Sequence, residues 1–116
     1  MSGLSNMLML FGGIFALVGF IQYRFPPKKR NHFYGYRTPA SQRSQEAWDF
    51  AQRYSARLMI RLGLVLLGLG AGTALLSIEI SYEVAFGMGI PLLLVTLMIV
   101  CIERELAQQF PPPPKQ

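Results

Sequence analysis

The sequence predicts an all-α integral membrane protein of three transmembrane helices, with the N-terminus outside and the C-terminus in the cytoplasm. Three observations predict it. The apolar residues, 52% of a 116-residue chain, fall into three long runs, Leu8 to Ile21, Leu62 to Leu76 and Val84 to Ile102, broken only by Gly, Ser, Thr or Pro. None of these runs alternates polar and apolar side chains as a barrel strand does, and backbone groups in lipid must be satisfied within a helix or a closed barrel. Nine of the eleven Lys and Arg residues lie between Arg24 and Arg61, which places that segment in the cytoplasm by the positive-inside rule.

One membrane domain over residues 1–116 is expected. The first span covers about residues 4–23, the second 58–77 and the third 84–103, each close to the roughly 20 residues that cross the hydrocarbon layer. A cleavable signal peptide is the rival reading of the first run, but no Lys or Arg precedes it and no small-x-small site follows. The third run offers no polar face at helical spacing, which argues against a soluble bundle. Cys101 is the single cysteine, so no internal disulfide forms. With His32 the single histidine and no His/Cys cluster, no metal site and no cofactor are expected.

The first helix ends near Tyr23, because Pro26 and Pro27 cannot continue it. Lys28, Lys29 and Arg30 follow as an orientation anchor, worth about 1 kcal/mol per charge if they also meet anionic headgroups. Thr38, with Pro39 behind it, reads as the N-cap of the next helix, with Ser41 or Ser44 as the other candidates. No proline intervenes from there to Leu76, so a helical cytoplasmic extension, part of the segment 24–57, runs directly into the second span. On that helix Trp48, Ala51, Ser55 and Leu62 share one face, and Asp49, Arg53 and Arg57 fall on another. Trp48 is thereby expected to be an interfacial anchor. Gly68 with Gly72, and Gly12 with Ala16, are small-xxx-small pairs suited to close helix packing. Gly87, Gly89 and Pro91 suit a kink in the outer half of the third helix. Glu79 and Glu83 place the connection before it outside, and the proline-rich tail 111–116 should be extended polyproline II.

The polar residues Asn31, His32, Tyr34, Tyr36, Arg37, Thr38 and Trp48 concentrate at one membrane face. Gly35, between two tyrosines, suits positive φ or a close backbone approach. The string Asn31, His32, Phe33, Tyr34, Gly35, Tyr36, Arg37, Thr38, Pro39, followed by Trp48, closely resembles the signature of the SdpI family of bacterial membrane proteins: an Asn, a Gly-x-Arg-Thr-Pro core, then a Trp before a transmembrane helix. The likeness covers roughly residues 26–62, with the flanking helices alike only in hydropathy.

The resemblance implies a multi-pass protein of the bacterial cytoplasmic membrane. The best-known member confers immunity to a secreted peptide toxin and relays the toxin's presence by holding a repressor at the membrane; it is larger, with further helices. A non-catalytic role in immunity or sensing is therefore expected, with an interfacial lipid- or anion-binding housekeeping role as the alternative. Asn31, His32, Tyr34, Gly35, Tyr36, Arg37, Thr38 and Trp48 are the candidate ligand or partner residues. A guanidinium with nearby donors favours phosphate or carboxylate. The structural alternative is that Arg61 pairs with Glu103 and locks the helix ends. Expected partners are membrane lipids, a peptide toxin or cytoplasmic regulator, and a second copy of the chain, with no nucleic acid. No enzyme is expected, since His32 has no clearly placed acid partner. Three short helices without mid-membrane charge lack a transport pathway unless they oligomerise.

Overall fold

The computed structural model describes residues 3–29, 35–76 and 81–111. Three helices account for most of them: α1 over Gly3–Arg24, α2 over Gln45–Leu75 and α3 over Glu83–Gln109. All three are long and apolar enough to cross a membrane. Their outward faces carry large apolar side chains, among them Leu10, Phe20, Leu64, Leu69, Leu92 and Leu97. A surface of this kind is stable only against hydrocarbon.

The helix limits follow from local chemistry. α1 closes at Arg24, with the Phe25 N–H bonded to the Ile21 carbonyl at 2.8 Å, and Pro26 follows with no N–H to donate. Ser44, not Thr38, caps α2: its backbone is extended and its hydroxyl accepts the Ala47 N–H at 3.0 Å. Thr38 instead starts a single isolated turn, in which its Oγ1 accepts the Ser41 N–H at 3.3 Å and the Ser41 hydroxyl accepts the Thr38 N–H at 2.9 Å. Each of the two residues takes the other's backbone donor, as at a helix start, but the extended backbone of Ser44 breaks the chain off from that turn before α2 begins. α2 is then about 46 Å long, well beyond the roughly 30 Å hydrocarbon core. Its first turns therefore stand clear of the apolar layer. Residues 77–80, with Glu79, and the tail beyond Pro111 lie outside the described residues.

α1 and α2 form the most extensive interface, and small residues create it. Ser5, Gly12 and Gly19 repeat at seven residues on α1, as do Ala56, Gly63 and Gly70 on α2, and all six are buried. A seven-residue repeat keeps one seam on the partner for the whole crossing. A Cβ built on Gly12 would meet the Gly63 carbonyl oxygen at 2.7 Å, and one on Gly19 the Ile60 nitrogen at 2.8 Å. Gly68 and Gly72, the pair expected at the interface, have nothing within 4 Å of such a Cβ. They sit off the seam, which the register of Gly63 and Gly70 defines.

Two apolar clusters fill the bundle. Leu4, Leu8 and Leu66 pack with Phe11, Phe15, Ile90 and Leu94 at one level. Ala40, Ala47, Ala51, Met98, Ile102 and Leu106 pack with Phe50, Tyr54 and Phe110 at the other. Leu62 touches both. α3 meets α1 at Gly87, where a Cβ would lie 2.6 Å from the Met7 sulfur, and Pro91 is buried four residues on. The second cluster gathers the loop before α2, the start of α2 and the end of α3 into a cap at one end of the bundle.

The seam yields a direct contrast. Gly63→Ala should lower stability by about 1–3 kcal/mol, because its methyl would strike the Ala16 backbone, which cannot yield. Gly68→Ala should be neutral or stabilising by roughly 0.5–1 kcal/mol, from helix propensity alone. Denaturant titration in detergent, followed by circular dichroism, compares the two; equal losses would contradict the register.

Candidate functional site

The cap is built on one backbone conformation. Gly35 has φ of +96°, a region L-residues with a side chain rarely adopt. Its Cα also lies against the Gln52 amide oxygen and the Pro27 ring, so a Cβ would have no room there. The turn delivers Tyr36 to α2, where the Gln52 side chain takes both of its backbone groups. The Tyr36 N–H donates to Gln52 Oε1 at 2.8 Å, and Gln52 Nε2 donates to the Tyr36 carbonyl at 2.7 Å. A buried amide thus pairs the loop with the helix as a neighbouring strand would, satisfying groups whose isolation costs about 1–3 kcal/mol each.

The same glutamine reaches α1. Gln22 Nε2 donates to the Gln52 carbonyl at 3.0 Å and the Ser55 hydroxyl at 2.8 Å, with a longer approach to Gln52 Oε1 at 3.3 Å. Trp48 is wholly buried, and its indole N–H donates to the Pro27 carbonyl at 2.7 Å. It is a bolt between the end of α1 and α2, not the interfacial anchor its position near a membrane span suggested. Gln45 adds a second tie to that chain, donating to the Lys28 carbonyl at 2.7 Å.

α3 is joined through the tyrosine ring. The Tyr36 hydroxyl donates to Glu103 Oε1 at 2.9 Å. Burial, then the bond to this carboxylate and its charge, hold the phenol well above the ordinary tyrosine range, against a smaller opposing bond from Thr38. Glu103 therefore takes Tyr36 as its partner and not Arg61, whose side chain lies along an apolar groove between α2 and α3. A further tie runs from Arg43 Nη1 to the Phe110 carbonyl at 3.1 Å.

Of the residues singled out in the sequence, the structure thus brings Gly35, Tyr36, Thr38 and Trp48 into one network. Arg37 projects from it as an exposed guanidinium, joined by the exposed Arg53 and Arg57. Asn31, His32 and Tyr34 lie outside the described residues. Beyond these the network uses Gln22, Ser41, Gln52 and Ser55, of which the sequence reading named Ser41 only as a cap candidate and Ser55 only as a neighbour of Trp48 on its face, and missed Gln22 and Gln52. The signal was present for Gln52 as for Ser55: they follow Trp48 at four and seven residues, so they sit on its buried face. Among the described residues every buried side-chain nitrogen and oxygen has a partner. This part of the signature is a completed internal lock, and the chemistry it offers to other molecules is the cationic surface it holds in place.

Breaking the lock at its centre should be costly. Gln52→Leu strands the Tyr36 N–H and carbonyl, while Gln22 keeps the Gln52 backbone carbonyl and the Ser55 hydroxyl, and should lower stability by roughly 2–4 kcal/mol in a detergent unfolding titration; an unchanged midpoint would contradict the geometry. Tyr36 gives a pH signature. Its folded-state pKa is raised, so the stability it contributes is complete below the ordinary tyrosine value near 10 and is lost only as pH climbs through the shifted value. Ultraviolet titration of the phenols should accordingly show one tyrosine ionising last, and that component should vanish in Tyr36→Phe.

With this geometry in view, comparison with known proteins identifies the relationship. The SdpI/YfhL protein family matches residues 28–103, a stretch that opens at Lys28 and closes at Glu103, the partner of Tyr36. The uncharacterized protein YfhL of Bacillus subtilis (strain 168) is 49% identical over 59 residues, 51% of this chain and 54% of that protein. The chain thus spans about half the length of that relative. No solved structure matches. The matched stretch covers well over half of the chain and contains the loop, α2 and most of α3, so this multi-pass membrane protein belongs to the SdpI/YfhL family.

Proposed function

We propose that the chain is a non-catalytic protein of the bacterial cytoplasmic membrane that protects the envelope against a secreted peptide toxin, or senses one for a cytoplasmic regulator. In this reading the cap faces the cytoplasm, the N-terminus lies outside and the C-terminus inside. The charge distribution supports that orientation, since nine of eleven basic residues lie between Arg24 and Arg61. The observation that carries the function is the network through Gln52 and Tyr36, which ties the ends of α1, α2 and α3 to one loop. A peptide that displaces any helix within the bilayer must then disturb the surface bearing Arg37. That is the coupling a sensor needs, and it requires no catalytic group.

A second reading has its own observation. A cavity of about 200 Å³ is lined by Pro26, Pro27, Lys28, Asp49, Gln52 and Arg53, and its two cations suit an anion or headgroup in a housekeeping role. Survival of a sensitive host separates the two. Expression of the chain should protect cells challenged with a peptide toxin that an immunity member of the family neutralises, and Arg37→Ala should weaken protection while the protein level is unchanged. No protection by the unaltered chain would sink the immunity reading.

A further inference from the structure

A groove runs between α2 and α3 on the membrane-facing side. Leu58, Leu62 and Val65 form one wall and Leu94 and Leu97 the other, around a cavity of about 220 Å³. Arg61 is the one charged residue along it, and its exposed side chain takes part in none of the described hydrogen bonds. Cys101 marks where this apolar stretch meets a second cavity of about 230 Å³, toward the cap, lined by Tyr54, Arg104, Glu105 and Gln108. Arg61 interrupts the apolar wall of the groove between Leu58 and Leu62, and the mixed polar cavity follows beyond Cys101.

Arg61 is the anomaly. It lies four turns into a 31-residue helix whose following residues carry no charge. By the lowest scales a guanidinium costs about 2.5–3.5 kcal/mol at the bilayer centre, a cost that falls toward the interface, where a paired anion removes what is left. The acid nearest in level on α3, Glu103, is occupied by Tyr36. Helical side chains lean toward the helix N-terminus, which for α2 is the cap end, so the Arg61 side chain leans along the first cavity toward the polar side of the bundle.

We propose that this groove is a binding site for one anionic phospholipid, with an acyl chain between α2 and α3, the phosphate on Arg61, and the headgroup among Tyr54, Arg104 and Gln108. The α2 wall of the groove, Leu58 to Val65 with Arg61 at its middle, is about 10 Å long, within the roughly 15 Å of one leaflet. A guanidinium engages phosphate bidentately, and a phospholipid is the anion that arrives at this depth with an apolar tail attached. The carboxylate of Glu105 and the hydroxyl of Tyr54 suit hydroxyls on the headgroup, so phosphatidylglycerol is the probe of choice. The site is distinct from the Lys28 and Arg53 cavity and does not rest on the toxin reading.

Native mass spectrometry of the full chain in detergent, with phosphatidylglycerol or phosphatidylcholine added, tests the proposal. One phosphatidylglycerol should be retained in preference to phosphatidylcholine. Arg61→Gln should weaken retention about fivefold, and with Arg104→Gln about 25-fold, at one surface-charge increment each. Leu97→Trp should expel the lipid by filling the groove, with circular dichroism unchanged. Equal retention of the two lipids, or full retention by Arg61→Gln, would overturn the assignment. So would oxidative Cys101 crosslinking of two copies that added phosphatidylglycerol fails to prevent, since a second chain would then occupy the groove.

Discussion

The structure depends on a single side-chain amide. Gln52 sits on the buried face of α2 just outside the apolar stretch, where water is already scarce and an unpaired peptide group is expensive. By pairing with both backbone groups of Tyr36 it fixes a loop that has no secondary structure of its own. Because Gln22 bonds the same residue, the loop is fixed relative to α1 as well as α2. The Tyr36 ring, aimed by that pairing, then reaches Glu103 and brings in α3. The positive φ of Gly35 is the condition for all of it, since no other residue fits both the conformation and the space.

Beneath this cap the bundle has two unequal halves. α1 and α2 approach at backbone distance through their seven-residue repeats of small side chains, which is how helices associate where lipid removes the hydrophobic drive between them. At the opposite end, the Ser5 and Thr73 hydroxyls bond at 2.9 Å and clasp the same pair. α3 meets the pair less extensively, through Gly87 against Met7, Ile90 and Leu94 in the first cluster and the cap cluster. Between those points it leaves the valley in which Arg61 lies. Tight pairing of two helices and a loose third is a natural arrangement for a protein whose membrane half must admit another molecule.

The three helices were legible in the sequence because their apolar runs leave little alternative, and so was the freedom required at Gly35. What stayed hidden were choices between partners. Trp48 looked like an interface anchor because its acceptor, the Pro27 carbonyl, is presented only once the chain has turned back on α1. Gly68 and Gly72 matched a familiar spacing, whereas the seam follows Gly63 and Gly70, and only the matching repeat on α1 distinguishes them. Thr38 carried the signature of a helix cap and with Ser41 it does cap a turn, but the extended backbone of Ser44 separates that turn from α2. Glu103 was expected to pair with Arg61, and it takes Tyr36 through a loop geometry that no local pattern encodes.

Gln52 holds Tyr36 as firmly as regular secondary structure would. Amide hydrogen exchange at Tyr36 in detergent or nanodiscs tests this directly. Protection of the Tyr36 amide should be comparable to that of the neighbouring amides of α2, and should be lost in Gln52→Leu while the mid-helix amides of α1 and α2 stay protected. Exchange of the Tyr36 amide at the rate of an open loop in the unaltered chain would contradict it.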